Sequence, residues 1–284
     1  MLSANIIFGI NFSAVQYITR QFIQPFGLNV IRVGVTSLLL WLLVLGSGKF
    51  ARINKKHYSR FILCAITGVV INQLLFIKGL SMTLSIHASL LILVTPIFIT
   101  FVAAWIGKEL LGVIKIAGLV LGVGGAVMLV MDKPGTREGS DIFWGDVFII
   151  INAISYAFYF VLVKPLMKEY EPLHVLRWVF TIGFFFMLPI GFNEFVLIPW
   201  QSFTWSAFGV LAFIVLFATF LAYLFNVYGI QQLGASITGS YIYTQPVFAS
   251  IIAILFLDET FSWYKIVAAL LIAAGVLMVS SRKN

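Results

Sequence analysis

The sequence is poor in charge, poorer still in acids, and poor in the residues that most often carry chemistry. Charged residues make up 10% of the 284 positions, against roughly 25% in ordinary globular proteins. A chain of this length could not cover a water-facing surface with so few charges, so a soluble fold is excluded. There is one cysteine, Cys64. It rules out an internal disulfide and a cysteine-rich metal site, and inside its apolar run it reads as a small buried residue. The three histidines, His57, His87 and His174, are scattered. No histidine cluster, pair of acids or Ser–His–Asp set stands within reach of one another. No catalytic residue, metal or cofactor is therefore expected.

What is present is apolar. Hydrophobic residues reach 61% and the mean hydropathy is +1.06. A bilayer-spanning helix needs about 20 mostly apolar residues, and ten segments meet that demand: 2–20, 28–46, 60–79, 86–107, 112–131, 144–163, 173–191, 206–229, 237–257 and 263–280. Gly46, Gly48, Pro134-Gly135, Pro165, Pro172 and Pro199 punctuate the connections. Membrane-barrel strands would alternate apolar and polar residues over about ten positions; runs such as 90–106 do not. The expected fold is all-α and integral to the membrane, with ten transmembrane helices. Residues 1–19 lack a basic n-region and carry Asn5, Asn11 and Gln16, so they read as the first span and not as a signal peptide.

The formal charge of +8 invites a nucleic-acid reading. The basic residues, however, sit between apolar runs and not on a polar face, so no nucleic-acid partner is expected. Their distribution instead sets orientation. With a cytoplasmic N-terminus, twelve Lys and Arg (49, 52, 55, 56, 60, 108, 115, 164, 168, 177, 282, 283) fall on inside connections and five (20, 78, 133, 137, 265) outside. Both termini are thus expected in the cytoplasm of a cell that holds the protein in its inner or plasma membrane.

The chain repeats itself. An offset of 150 residues lays 79–128 on 229–278 without a gap and gives eleven identities, among them Pro96/Pro246, Glu109/Glu259, Lys115/Lys265 and Gly125/Gly275. The repeats are placed at 1–131 and 144–284, joined by an external loop at 132–143. Each holds five spans. An odd number turns the second copy upside down in the membrane, the inverted-repeat arrangement of many secondary transporters.

Several motifs follow in order. Phe8-Gly9-Ile10-Asn11-Phe12 resembles a W-G-x-N-F opening, with Phe8 in place of Trp. Arg32 matches an arginine at the start of a second helix, and Ala88-Ser89 leads to Pro96 and Gly107-Lys108-Glu109. Ala235-Ser236, Pro246 and Asp258-Glu259 repeat that stretch. The chain resembles the EamA family of the drug/metabolite transporter superfamily, ten-helix carriers with two such repeats. Gln16 stands where many members have lysine. The resemblance implies a central cavity among helices 1, 3, 4, 6, 8 and 9.

Polar groups inside spans are costly in lipid and turn inward. Asn11, Gln16, Asn72, Gln73, Thr95, Tyr156, Tyr159, Tyr223, Asn226, Tyr241, Tyr243 and Gln245 gather in those same helices, and they are the candidate substrate contacts. Each could equally be interhelical glue. Pro96 and Pro246, near the centres of spans four and nine, free the carbonyls of Ile92 and Ile242 and read as kinks or hinges. Glu109 and Glu259 end those spans and read as structural caps or ion pairs. Arg32 and Lys78 could attract an anion, but both lie near the outer ends and read equally as snorkelling. No acid lies in a span interior, which removes the usual handle for protons and cations; His87 is the remaining candidate proton site. Gly118-x-x-x-Gly122 with Gly124-Gly125 reads as close packing of helices 5 and 10, not as a dinucleotide fingerprint.

The function expected is a secondary transporter that exports small neutral or zwitterionic metabolites, amino acids among them, by alternating access, with proton or counter-substrate coupling left open. The alternatives are a carrier of nucleotide-sugar or phosphorylated anions and a membrane-embedded enzyme.

Overall fold

The computed structural model describes residues 2–47, 53–108, 112–131, 142–233, 241–260 and 262–280. Among these residues every regular element is helical. The helices are α1 (Leu2–Gln21), α2 (Pro25–Ser47), α3 (Tyr58–Ala65), α4 (Ile71–Met82), α5 (Ser85–Ile92), α6 (Thr95–Gly107), α7 (Val113–Val130), α8 (Ile142–Glu169), α9 (Pro172–Val196), α10 (Trp205–Ala212), α11 (Ala222–Leu233), α12 (Gln245–Leu257) and α13 (Trp263–Ser280). Counting continuous or broken rods, they form ten apolar columns. Seven are long and apolar enough to cross a membrane, and 245–257 and 263–279 are shorter apolar helices. Large side chains such as Leu38, Trp105, Phe185, Leu255 and Leu277 face outward, as a lipid-facing surface requires.

Several columns depart from plain α-helix. A wide π-helical turn, Ile66–Val70, joins α3 to α4, where Ile71 N–H donates to the Ile66 carbonyl five residues back. A longer π stretch, Phe213–Leu221, joins α10 to α11. Span four is broken. Leu93 N and Val94 N donate to the carbonyls of Leu90 and Leu91, both at 3.1 Å, and α6 then begins afresh with Pro96 in its first turn. There a missing N–H costs nothing. The expectation of a mid-helix kink is corrected accordingly, because the proline starts a helix. Pro246 does the same for α12 after a 3₁₀ turn at Tyr241–Thr244. α6 and α12 each end on a left-handed residue, Lys108 and Asp258, both with φ 53°.

Two boundaries also move. α8 runs through Pro165 to Glu169, and α9 runs through Pro189 to Val196. Both continue past the ends read at 163 and 191, because neighbouring turns hold a proline that local propensity would reject. The small residues expected to let spans five and ten pack closely do so at α7 and α13. A methyl group on Gly118 would stand 2.6 Å from the Gly275 carbonyl, and one on Gly275 would stand 2.5 Å from that of Gly118. At α2 and α9 the backbones also approach: a methyl on Gly191 would stand 2.6 Å from the Phe26 carbonyl. Near that crossing the Glu194 carboxylate accepts from Phe26 N at 2.6 Å and Gly27 N at 3.0 Å, which caps the start of α2.

Candidate functional site

A cavity among the helices encloses about 730 Å³ of empty space, its open mouth included. α1 contributes Phe8, Asn11 and Phe12, whose i, i+3, i+4 spacing puts them on one helix face. α4 contributes Asn72, Gln73 and Phe76 just after its π turn, and α11 contributes Tyr223 and Asn226 just after the second π stretch. α8 supplies Asn152 and Tyr156. Ile92 and Thr95 border the break in span four, while Ile242 and Gln245 border the start of α12. α2 places Arg32 in the wall.

Hydrogen bonds stiffen this wall. Asn152 Nδ2 donates to the Asn72 carbonyl at 2.7 Å, and Asn72 Nδ2 donates back to the Asn152 carbonyl at 3.4 Å. Gln245 Nε2 donates to Asn5 Oδ1 at 2.7 Å. Asn29 Nδ2 donates to the Gln73 carbonyl at 3.1 Å, and the Gln73 amide bonds the Tyr223 hydroxyl. Arg32 Nε donates to Thr219 Oγ1 at 2.9 Å, and that hydroxyl donates to the Ile214 carbonyl.

The lining is paired along the sequence. Gln73 and Tyr223, Phe76 and Asn226, Ile92 and Ile242, and Thr95 and Gln245 each lie 150 residues apart, and all eight border the cavity. The left-handed ends Lys108 and Asp258 keep the same spacing. Phe8 and Phe12 precede Asn152 and Tyr156 by a constant 144.

A second cavity, of about 470 Å³, shares Tyr156, Tyr223 and Asn226 with the first. It continues past Tyr159, Phe160 and Val163 to Lys164 and Met167. The turn between α4 and α5 is instead tied shut. Gln16 Nε2 donates to the Thr83 carbonyl at 2.6 Å, and Ser85 Oγ donates to Gln16 Oε1 at 2.8 Å. The Thr83 hydroxyl donates to Asp146, whose other oxygen lies 3.0 Å from His87 Nδ1. The Glu259 carboxylate accepts from Ser85 N at 2.7 Å and Ile86 N at 3.0 Å. This corner joins residues 16, 83, 85 and 87 to Asp146 and Glu259 from the far half of the chain.

Of the candidate contacts, Asn11, Asn72, Gln73, Thr95, Tyr156, Tyr223, Asn226 and Gln245 border the main cavity and Tyr159 borders the second. Gln16 belongs to the tied corner and not to either cavity wall. Tyr241 borders neither cavity; its carbonyl accepts from Thr244 Oγ1 within the 3₁₀ turn. The Tyr243 side chain and Glu109 lie outside the described residues. Glu259 does cap a helix, but that helix is α5, far away in sequence, and not the helix that follows it. Asp146 and His87 are both fully buried. Asp146 lies near the start of α8, at a span end as expected, and is nonetheless sealed inside the protein.

Sequence reasoning did not place Phe8, Phe12 or Phe76 in the cavity, and it put Arg32 near an outer end. Arg32 is 2% exposed, where snorkelling to an interface was one of its two readings. The helical spacing of Phe8 and Phe12 around Asn11 was the available signal for two of these.

Comparison with known proteins agrees with the geometry. A family model described as the EamA-like transporter family matches residues 1–131 and 143–281. An uncharacterized transporter of Archaeoglobus fulgidus is 24% identical over 92% of this chain and 90% of its own. The uncharacterized transporter YyaM of Bacillus subtilis is 23% identical over 99% of this chain and 92% of its own. A WAT1-related chloroplastic protein of Arabidopsis thaliana is 26% identical over 90% of this chain and 63% of its own. One solved crystal structure superposes with a TM-score of 0.62 at 15% identity, covering 98% of this chain and 94% of that one. It shows the same fold.

Proposed function

The chain belongs to the EamA-like transporter family, and on that premise we propose that it is a secondary carrier exporting small neutral or zwitterionic solutes, amino acids among them, and not an enzyme. The observation that carries the reading is the cavity lined by residues 150 apart. Such pairing is what two inverted five-helix halves, 1–131 and 144–284, produce around an axis in the membrane plane, and in carriers built this way the substrate lies between the halves. Alternating access is supported by the unequal ends. The cavity continues toward Lys164, while the α4–α5 corner is bonded shut across the halves. With both termini cytoplasmic and the protein in the plasma membrane, Lys164 lies on the inside, so the conformation faces inward. The lining suits such cargo, since tyrosines, phenylalanines and amides offer hydrogen bonds beside flat apolar faces.

Counterflow in proteoliposomes tests the reading. Labelled amino acids, nucleosides and sugar phosphates are offered to the purified carrier at several pH gradients. Uptake of an amino acid, lowered at least tenfold by Asn11→Ala or Tyr156→Ala at equal membrane yield, is expected. A well-folded protein that moves none of them overturns the reading.

A further inference from the structure

Among the described residues, two arginines are buried in the membrane columns, and one of them has its charge covered. Arg177, 1% exposed, lays its guanidinium 4.4 Å over the Trp41 ring and 5.3 Å from that of Trp178, an arrangement that offsets burial. Among the described residues, Arg32 has neither a ring face nor a carboxylate against it. Its Nε is spent on the Thr219 hydroxyl, and its Nη1 has no hydrogen-bond partner among the described residues. It is also the sole charged side chain among the described residues lining the cavity. A guanidinium held in a low-dielectric site without an anion is expensive, and packing the same wall with an apolar residue would avoid the expense.

The opposite polarity is present in the same wall. Asn11 Oδ1 and Gln73 Oε1 are buried acceptors with no donor among the described residues, and both residues border the cavity. Unpaired buried acceptors carry a desolvation cost that a ligand's N–H groups can remove.

We propose that Arg32 is the carboxylate-binding residue of the cavity, and that the site takes solutes bearing one carboxylate next to a hydrogen-bond donor such as an ammonium. This rests on, and deepens, the carrier reading above. Thr219 is a positioning residue. By holding Nε from the π stretch it leaves the forked Nη end of the guanidinium for the ligand, the geometry that pairs best with a planar carboxylate. A single cation matches a single negative charge. A phosphorylated solute of charge near −2 would leave charge uncompensated here, so the site selects carboxylates over phosphate esters.

The test uses the full-length purified protein in detergent, with binding read by thermal stabilisation and kept separate from flux. The probes are leucine and phenylalanine, each paired with its own amide, which keeps the ammonium and side chain but removes the carboxylate charge. In the wild type the acid binds about 10- to 100-fold more tightly than the amide, the range expected for a buried hydrogen bond to a charged group. In Arg32→Gln the ratio falls to within about twofold. Arg32→Lys keeps part of it, because the charge remains and the fork does not. Thr219→Val, which leaves the charge in place, lowers the ratio without abolishing it. Arg177→Gln leaves it unchanged. Equal responses to acid and amide in the wild type, whether both bind or neither does, overturn the assignment. So does an acid preference that survives Arg32→Gln. Flux in proteoliposomes is scored independently. Acid-selective binding without transport sinks the carrier reading and leaves the subsite standing.

Discussion

Glu259 offers the most direct way to unlock the protein. Its two oxygens accept the Ser85 and Ile86 N–H groups at 2.7 and 3.0 Å, and the residue is 8% exposed. Glu259→Gln keeps the shape and one acceptor, but turns an NH₂ toward a helix start that itself presents only donors. One hydrogen bond to a charged acceptor is lost and one buried N–H is left unsatisfied, a combined cost of about 2–4 kcal/mol. The favourable meeting of a carboxylate with the α5 N-terminus is lost as well. Because these bonds join distant parts of the chain at the closed corner, the cost falls on the closed state. At about 1.4 kcal/mol per tenfold, the corner should open at least tenfold more often. To read this, Cys64→Ala removes the only native cysteine and Thr95→Cys places a thiol in the cavity wall. A membrane-impermeant maleimide is then added on the face bearing the α4–α5 turn. The labelling rate should rise at least tenfold in the Glu259→Gln background. An unchanged rate, with the variant folded by its melting curve, refutes the idea that this carboxylate holds the corner closed.

Other outcomes follow from the same geometry. Gly275→Val should lower the melting temperature sharply, because its Cβ meets backbone of Gly118 and Gly122 within 2.6 Å and backbone cannot give way; overpacking costs about 1–3 kcal/mol or more, and a melt within a degree of wild type would contradict it. Asp146→Asn should weaken the closed corner through both Thr83 and His87, raising cavity labelling in the assay above; a drop in labelling would count against it. Pro96→Ala should leave stability within about 0.5 kcal/mol, because Pro96 opens α6 where a missing N–H costs nothing; a melting temperature raised or lowered by several degrees would show that the proline sits inside a continuous helix.

The helical membrane fold is legible because lipid imposes one strong demand on every spanning segment, and apolar runs of the right length answer it. The break at Leu93–Val94 was half legible. Pro96 marked the place, but a proline looks alike in one sequence whether it bends a helix or begins one, and only the hydrogen bonds before it distinguish the two. α8 passing through Pro165 was hidden for the same reason. The cavity was readable as a set of polar residues in the right helices, since a buried amide must face something. Which amide faces solute and which faces protein was not readable. Gln16 and Gln73 look equivalent in sequence, yet one ties a closed corner and the other borders the cavity. Arg32 was lost because sequence position near a span end suggests an interface, and depth is set by how α2 packs on its neighbours.

The wide turns before α4 and α11 have a consequence for how such a protein can change. Each residue of an α-helix advances about 100° around its axis, so a π stretch works as a rotational spacer that decides which side of the following rod looks inward. Deleting one codon within 213–221 would tighten that stretch toward ordinary helix, and because the wide turn already absorbs an extra residue, Tyr223 and Asn226 would keep their side of the rod. The rod would still cross the bilayer. A wide turn is therefore a place where a column can gain or lose one residue without turning its binding face, while the same change in an ordinary α stretch would rotate everything beyond it by about 100°.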